Sequence, residues 1–146
     1  MKAHQSLGEG ARLGLLVATS IWIWLAILDA LVGQPFRTFT VLGGVVTFTT
    51  LHYLLNVAYG VALVSIIHAS AREPQLLIGA LVVFFAIEFE LVLLTVLLSH
   101  VGLGELAWVR ILGGNLIGVA VAWSILLRSH PLRKELREAD VEENDG

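Results

Sequence analysis

The sequence predicts an all-α integral membrane protein, built as an up-and-down bundle of four transmembrane helices. Of its 146 residues, 57% are hydrophobic and only 14% are charged, and the mean hydropathy is +0.84. In soluble domains about a quarter of the residues are charged. Four apolar runs of roughly 20 residues each have the length that a helix needs to cross about 30 Å of hydrocarbon. None shows the sustained alternation of a membrane strand, so helices are the expected spanning elements.

The four predicted spans are joined by short connections. In chain order, the spans cover about residues 13–32, 45–67, 76–98 and 106–127. The connections are residues 33–40, 68–75 and 99–105, and each contains a glycine or proline that can end a helix. Connections of this length place neighbouring helices antiparallel. We therefore expect residues 1–128 to form one transmembrane domain.

The distribution of Lys and Arg predicts the orientation, because cytoplasmic loops are enriched in these residues. Arg37 and Arg110 lie on one side of the predicted bundle. Seven others share the opposite side: Lys2, Arg12, Arg72, Arg128, Arg133, Lys134 and Arg137. Both termini are therefore expected in the cytoplasm, and the membrane is expected to be the cytoplasmic membrane of a bacterium or archaeon. Residues 129–146 form a charged cytoplasmic tail whose acidic end has the composition of a disordered segment.

Composition also excludes several classes of function. The chain has no cysteine, which rules out disulfides, Cys-ligated zinc and iron–sulfur clusters. Its formal net charge of −3 argues against a nucleic-acid partner, because phosphate binding requires an excess of Lys and Arg. Bis-histidine haem ligation requires two imidazoles at one depth, whereas His52 and His100 differ by about 10 Å in predicted depth. Haem is therefore not expected, a metal ion is possible, and the sequence leaves the identity of any other cofactor open.

The predicted spans contain a layer of polar residues in the outer half of the membrane. At a rise of about 1.5 Å per residue, the depths are about 10 Å for His52, about 16 Å for Asn56, about 15 Å for Glu88 and about 13 Å for Asn115. On the second span a polar stripe is spaced by three and four residues, as one helix face requires: Thr49, His52, Asn56 and Gly60. Ionisable groups within a membrane indicate a functional site by default.

Glu88 and Glu90 cannot both face the interior of one bundle, since residues two apart on a helix point about 200° from each other. We assign Glu88 to the polar layer and Glu90 to an interface. A carboxylate facing lipid costs about 2.5–3.5 kcal/mol on the insertion scale, so Glu90 must be protonated or meet a partner. Gly114 and Gly118 form a small-residue seam where another helix can approach closely. We therefore expect a homo-oligomer or a partner membrane protein within the lipid bilayer.

Three kinds of function fit this pattern. The first is the handling of a proton or small cation at the layer of His52, Asn56, Glu88 and Asn115, because imidazole titrates near neutral pH. The second is a non-catalytic accessory or assembly subunit of a larger membrane complex. The third is a metal-dependent membrane enzyme, with His52, Glu88 and Asp29 as possible ligands. The sequence contains no HExxH motif, so it favours the first two and leans away from an enzyme.

Separate substitutions of the two glutamates test their assignment to two faces. We expect Glu88→Gln to abolish proton or cation uptake by vesicles that contain the protein, because an amide does not ionise, while native mass spectrometry shows unchanged assembly. Glu90→Leu is expected to disturb assembly first. The reverse pattern would contradict the assignment.

Overall fold

The computed structural model describes residues 2–70, Leu97 and residues 104–129. Four helices occur in these ranges: α1 at Lys2–Leu31, α2 at Arg37–Val41, α3 at Val45–Ser70 and α4 at Ala107–Ser129. A 3-10 turn at Gly104–Leu106 precedes α4. The described ranges contain no strand. The prediction of an all-helical chain is therefore confirmed for the described residues.

Three of the helices are long and apolar enough to cross a membrane. The candidate spans are Leu7–Leu31, Val45–Ala69 and Ala107–Arg128. The helix α1 begins at Lys2, well before the apolar run, because helix formation does not require an apolar sequence. The predicted span 76–98, with Glu88 and Glu90, lies outside the described residues. A bundle of four spanning helices therefore stays a prediction.

The predicted connection 33–40 is more ordered than its sequence indicates, because it contains most of α2. Glycines end both α1, which precedes the connection, and α2. At the end of α1, the N–H of Gly33 donates to Ala30 and the N–H of Gln34 donates to Asp29. The same pattern ends α2, where Gly43 donates to Thr40 and Gly44 donates to Phe39. Both are Schellman motifs, which need a left-handed residue, and Gly33 and Gly43 supply it with φ values of 72° and 108°.

Glycine also determines how closely α1 and α3 pack. A methyl group added at Gly10 would lie 2.5 Å from the Cα of Val61. One added at Gly14 would overlap the backbone of Asn56, and one added at Gly60 would overlap the backbone of Gly10. The two helices therefore touch through their backbones, as small residues allow between helices in a membrane.

The helix α4 packs on another part of α1. Gly113 and Gly114 lie against the indole of Trp24, and Gly118 lies against Ile21 and Val17. All three long helices meet in one buried apolar cluster, which is formed by Leu13, Val17, Val64, Ala122 and Leu126. Because α1 packs extensively on both α3 and α4, it is the central helix of the described structure.

The contacts also define the direction of each helix. Residues 33–44, which we call the strap, contain α2 and its flanking turns and join the end of α1 to the start of α3. The start of α4 lies at this strap end too, because Arg110 pairs with Asp29 near the end of α1. Both α3 and α4 therefore run antiparallel to α1. It follows that α3 ends at the opposite end of the structure from the start of α4.

The outward faces of the long helices are apolar. Val46 is 80% exposed, Leu55 is 68% exposed and Leu116 is 70% exposed. Exposed apolar surface of this extent is typical of contact with lipid or with another membrane protein. Buried polar side chains, namely Asp29, Thr38 and Arg110, thus occur together with large exposed apolar ones, a combination typical of helices that cross a membrane.

The glycine contacts predict that the effect of one added methyl group on the free energy of unfolding depends strongly on its position. We expect Gly14→Ala and Gly60→Ala to lower the free energy of unfolding by about 1–3 kcal/mol or more, because the backbones must separate. Gly8 on the same helix has no neighbouring atom within 4 Å of an added methyl group, so Gly8→Ala is the matched control. It should be neutral or stabilising by up to about 1 kcal/mol. Thermal unfolding in detergent, followed by circular dichroism, measures these changes, and equal melting of all three variants would contradict the close packing.

Candidate functional site

A buried ionic cluster ties three elements together at the strap end. The carboxylate of Asp29, on α1, is 0% exposed and lies 3.2 Å (Oδ1) from Nε of Arg110, on α4. Thr38, on α2, donates its backbone N–H to Oδ2 of Asp29 at 2.7 Å and its hydroxyl to Oδ1 at 2.6 Å. Thr38 and Arg110 are also buried, at 0% and 2% exposure. The charge of Asp29 is thus matched by one cation and two hydrogen bonds.

Helix ends explain why these residues lie together. Asp29 is in the last turn of α1 and Arg110 is in the first turn of α4, so each carries the charge that the dipole of its own helix disfavours. Their ion pair offsets the unfavourable interaction that each charge has with the dipole of its own helix. For α2 the dipole favours Asp29, whose carboxylate accepts from an N–H of the first turn. The N-cap residue Phe36 has no side-chain hydrogen bond to the helix, so Asp29 supplies this cap from α1.

Aromatic rings connect the strap to the interior. Phe39 is fully buried, and its ring centroid lies 5.0 Å from that of Trp22 and 5.2 Å from that of Phe48. The ring of Phe48 stacks on that of His52, with 5.2 Å between centroids and 13° between planes. Trp22 donates its indole N–H to the hydroxyl of Thr49 at 3.0 Å. Phe39 of the strap therefore contacts Phe48, and Phe48 contacts His52.

His52 lies between α1 and α3 and uses both of its nitrogens. Its Nε2 is 3.0 Å from the backbone oxygen of Ala18, and its Nδ1 is 3.3 Å from Nδ2 of Asn56. A carbonyl oxygen only accepts hydrogen bonds, so Nε2 must carry the proton. In the neutral ring Nδ1 is then the acceptor, and the amide of Asn56 donates to it. The same amide group also donates to the backbone oxygen of His52 at 2.8 Å.

The predicted polar stripe of α3 faces α1 along its length. Thr49 bonds Trp22, His52 bonds Ala18, and the backbone at Asn56 and Gly60 lies against the glycines of α1. Sequence spacing alone could not identify Ala18 as a partner, because its backbone oxygen is available only where the two helices approach closely.

Asn115 and Trp24 each present a buried donor with no acceptor in the described ranges. The atoms are Nδ2 of Asn115 and Nε1 of Trp24. Among the described residues, no hydrogen bond joins Asn115 to His52 or Asn56. A buried donor left unsatisfied costs about 1–3 kcal/mol, so each has unused capacity for an acceptor. Glu88, the fourth predicted member of the layer, lies outside the described residues.

The other predicted site residues are placed as follows. Asp29, a possible metal ligand with His52 and Glu88, is engaged by Thr38 and Arg110. Within the described ranges, no group of three His, Asp or Glu side chains is arranged to hold a metal ion. Gly114 and Gly118, predicted at an interface, face α1 of the same chain. Glu90 lies outside the described residues.

Sequence reasoning missed Arg110 and Thr38 as partners of Asp29. A signal for Arg110 was present, because it follows the predicted start of its span by about one turn while Asp29 precedes the end of its own span by about one turn. Opposite charges at matched depth on neighbouring spans are candidates for an ion pair. Thr38 carried no such signal, since its role depends on a short helix in a segment that reads as a connection.

Two threonines of α2 give a matched test of the ionic cluster. Thr38→Val removes a buried hydrogen bond to a carboxylate, which typically stabilises by about 1.5–3 kcal/mol, and should lower the free energy of unfolding by that amount. The hydroxyl of Thr40 donates only to the exposed backbone oxygen of Phe36. Thr40→Val should therefore change stability by no more than about 0.5 kcal/mol. Equal effects in thermal or denaturant unfolding would show that the cluster does not hold the strap.

Comparisons with known proteins assign no family to this geometry. The chain matches no protein-family model, no curated protein and no solved structure. The function proposed below therefore rests on the residues and contacts of this chain alone.

Proposed function

We propose that this chain is an integral membrane protein that binds and releases a proton at His52, within a polar layer completed by Asn56, Asn115 and Glu88. The observation that supports the proposal is the environment of the imidazole. One nitrogen is bonded to a backbone oxygen, and the other faces a carboxamide that can rotate. The ring is partly exposed and lies in the span Val45–Ala69.

This environment can accommodate both protonation states of the ring. In the neutral state Nδ1 accepts from the amide of Asn56, and the bond from Nε2 to Ala18 is made. In the protonated state Nδ1 becomes a donor and needs an acceptor. A half-turn of the Asn56 carboxamide presents its oxygen to Nδ1, at the cost of the bond to the His52 backbone oxygen. Proton binding is thus coupled to a rotation of Asn56, while the bond to Ala18 is kept.

The chemistry of the layer favours a proton over a hard cation. Calcium and magnesium require several oxygen ligands, whereas His52 and Asn56 offer ring nitrogens and one amide oxygen. We assign Glu88 as the carboxylate that exchanges the proton with His52 and that can accept from the unused donor of Asn115. Cytoplasmic termini and an oligomer with Glu90 at its interface are part of the same proposal.

A second candidate is an accessory subunit of a membrane complex. The observation that favours it is that both nitrogens of His52 already have partners within the chain. Side-chain hydrogen bonds of this kind join helices in membranes and stabilise by about 0.6 kcal/mol on average. In that case His52 only joins α1 to α3, and function belongs to the partner protein.

Nitrogen-15 NMR of the histidine side chains, recorded in nanodiscs between pH 8 and pH 5, separates the two candidates. We expect His52 to start as the neutral ring with the proton on Nε2 and to gain a proton on Nδ1 as the pH falls. The chain has five histidines, so His52→Gln identifies the signal by its loss. A ring that stays neutral over the whole range would exclude proton binding and leave the subunit candidate.

A further inference from the structure

We propose that the strap, residues 33–44, closes access to the His52 site, and we call this arrangement the closure. The carboxylate of Asp29 holds the strap in the closed position through its hydrogen bonds with Thr38. What the closure regulates rests on the proposed function, namely proton access to His52. The closure itself is a property of the strap and its contacts, and it can be tested whether or not His52 binds a proton.

The strap has one exposed and one buried side, as a lid requires. Residues 31–37 are exposed, whereas Thr38 and Phe39 are fully buried. Phe39 projects inward against Trp22 and Phe48. Phe48 in turn covers one face of the imidazole of His52. Phe39 and Phe48 thus lie in contact with each other between the strap and His52.

A single carboxylate holds the buried side of the strap. Both oxygens of Asp29 accept from Thr38, the residue immediately before Phe39. Arg110 pairs with the same carboxylate from α4. The position of Phe39 over the site thus depends on a carboxylate that belongs to α1 and is fixed by α4.

The strap is a short unit bounded by two glycine turns. Gly33 lies on one side, and Gly43 and Gly44 lie on the other, all with positive φ. Within the strap, Phe36 has a φ of 61°, a left-handed conformation that is unfavourable for a bulky side chain. Its ring is held by Trp22 and Phe39. A strained residue kept in place by neighbouring contacts favours opening once the contacts at Thr38 are lost.

The absence of cysteine from the chain allows a direct test with single introduced thiols. Thr49 is bonded to Trp22, whose ring contacts Phe36 and Phe39 of the strap, so Thr49→Cys reports access to the site. Gln34→Cys, on the exposed side of the strap, reports the reactivity of an uncovered thiol. The protein is placed in nanodiscs, which expose both membrane faces, and the rate of modification by a charged, membrane-impermeant maleimide is measured.

We expect the thiol at position 49 to react much more slowly than the thiol at position 34. Adding Thr38→Val should raise the rate at position 49 by about tenfold or more, because losing a hydrogen bond to a charged group shifts an opening equilibrium by that factor. Thr40→Val, on the same helix, should leave the rate unchanged. If Thr38→Val does not fold, the comparison of positions 49 and 34 in the otherwise unaltered chain still tests the closure.

Two results would overturn the closure: rapid modification at position 49 in the otherwise unaltered chain, or equal rates in the Thr38→Val and Thr40→Val backgrounds. These results are independent of the NMR titration. If position 49 is protected and Thr38→Val releases it while His52 stays neutral, the closure stands and proton binding fails. If His52 titrates while position 49 reacts freely, proton binding stands and the closure fails.

Discussion

The buried carboxylate of Asp29 is the constraint on which the strap end of the structure depends. Removing an ion from water costs several kcal/mol, and that cost is offset only by an opposite charge together with hydrogen bonds. Asp29 receives both, from Arg110 and from Thr38. Three elements must therefore keep fixed positions for one charge to be tolerated. Losing Arg110 would leave the carboxylate of Asp29 without its opposite charge in an apolar interior, and breaking a buried ion pair in this way typically costs about 3–5 kcal/mol.

A second constraint, the close approach of α1 and α3, sets the geometry of the candidate site. Gly14 allows the backbone of α1 to touch that of α3 beside Asn56, and Gly60 allows the same contact one turn further along. With the helices this close, the backbone oxygen of Ala18 is within reach of His52. The imidazole thus donates to a backbone oxygen that a wider spacing would place out of reach. The site and the helix packing consequently depend on the same glycines.

Much of this organisation was predictable from local patterns. Apolar run length identified the three described helices that are long and apolar enough to cross a membrane, and the three-and-four spacing placed Thr49, His52, Asn56 and Gly60 on one face of α3. The partners of that face were not predictable, because they include a backbone oxygen and an indole whose positions depend on the helix crossing. The G-x-x-x-G spacing of Gly10 and Gly14 was available as a signal, but only Gly14 lay within the predicted span 13–32, because Gly10 precedes the apolar run. Asp29 was considered as a possible metal ligand, whereas the structure pairs it with Arg110.

The sequence by itself determined the class of the protein: apolar helices of membrane-crossing length, with His52 and Asn56 sharing one face. Each of these properties is local, since helix length and facing depend only on residues a few positions apart. Only the tertiary structure decided which groups meet, including Asp29 with Arg110 and Thr38, and Phe39 over Phe48 and His52. Those contacts join residues far apart in the chain. They depend on how closely two backbones approach and on a five-residue helix that Asp29 stabilises from outside, and neither is encoded in a short window of sequence.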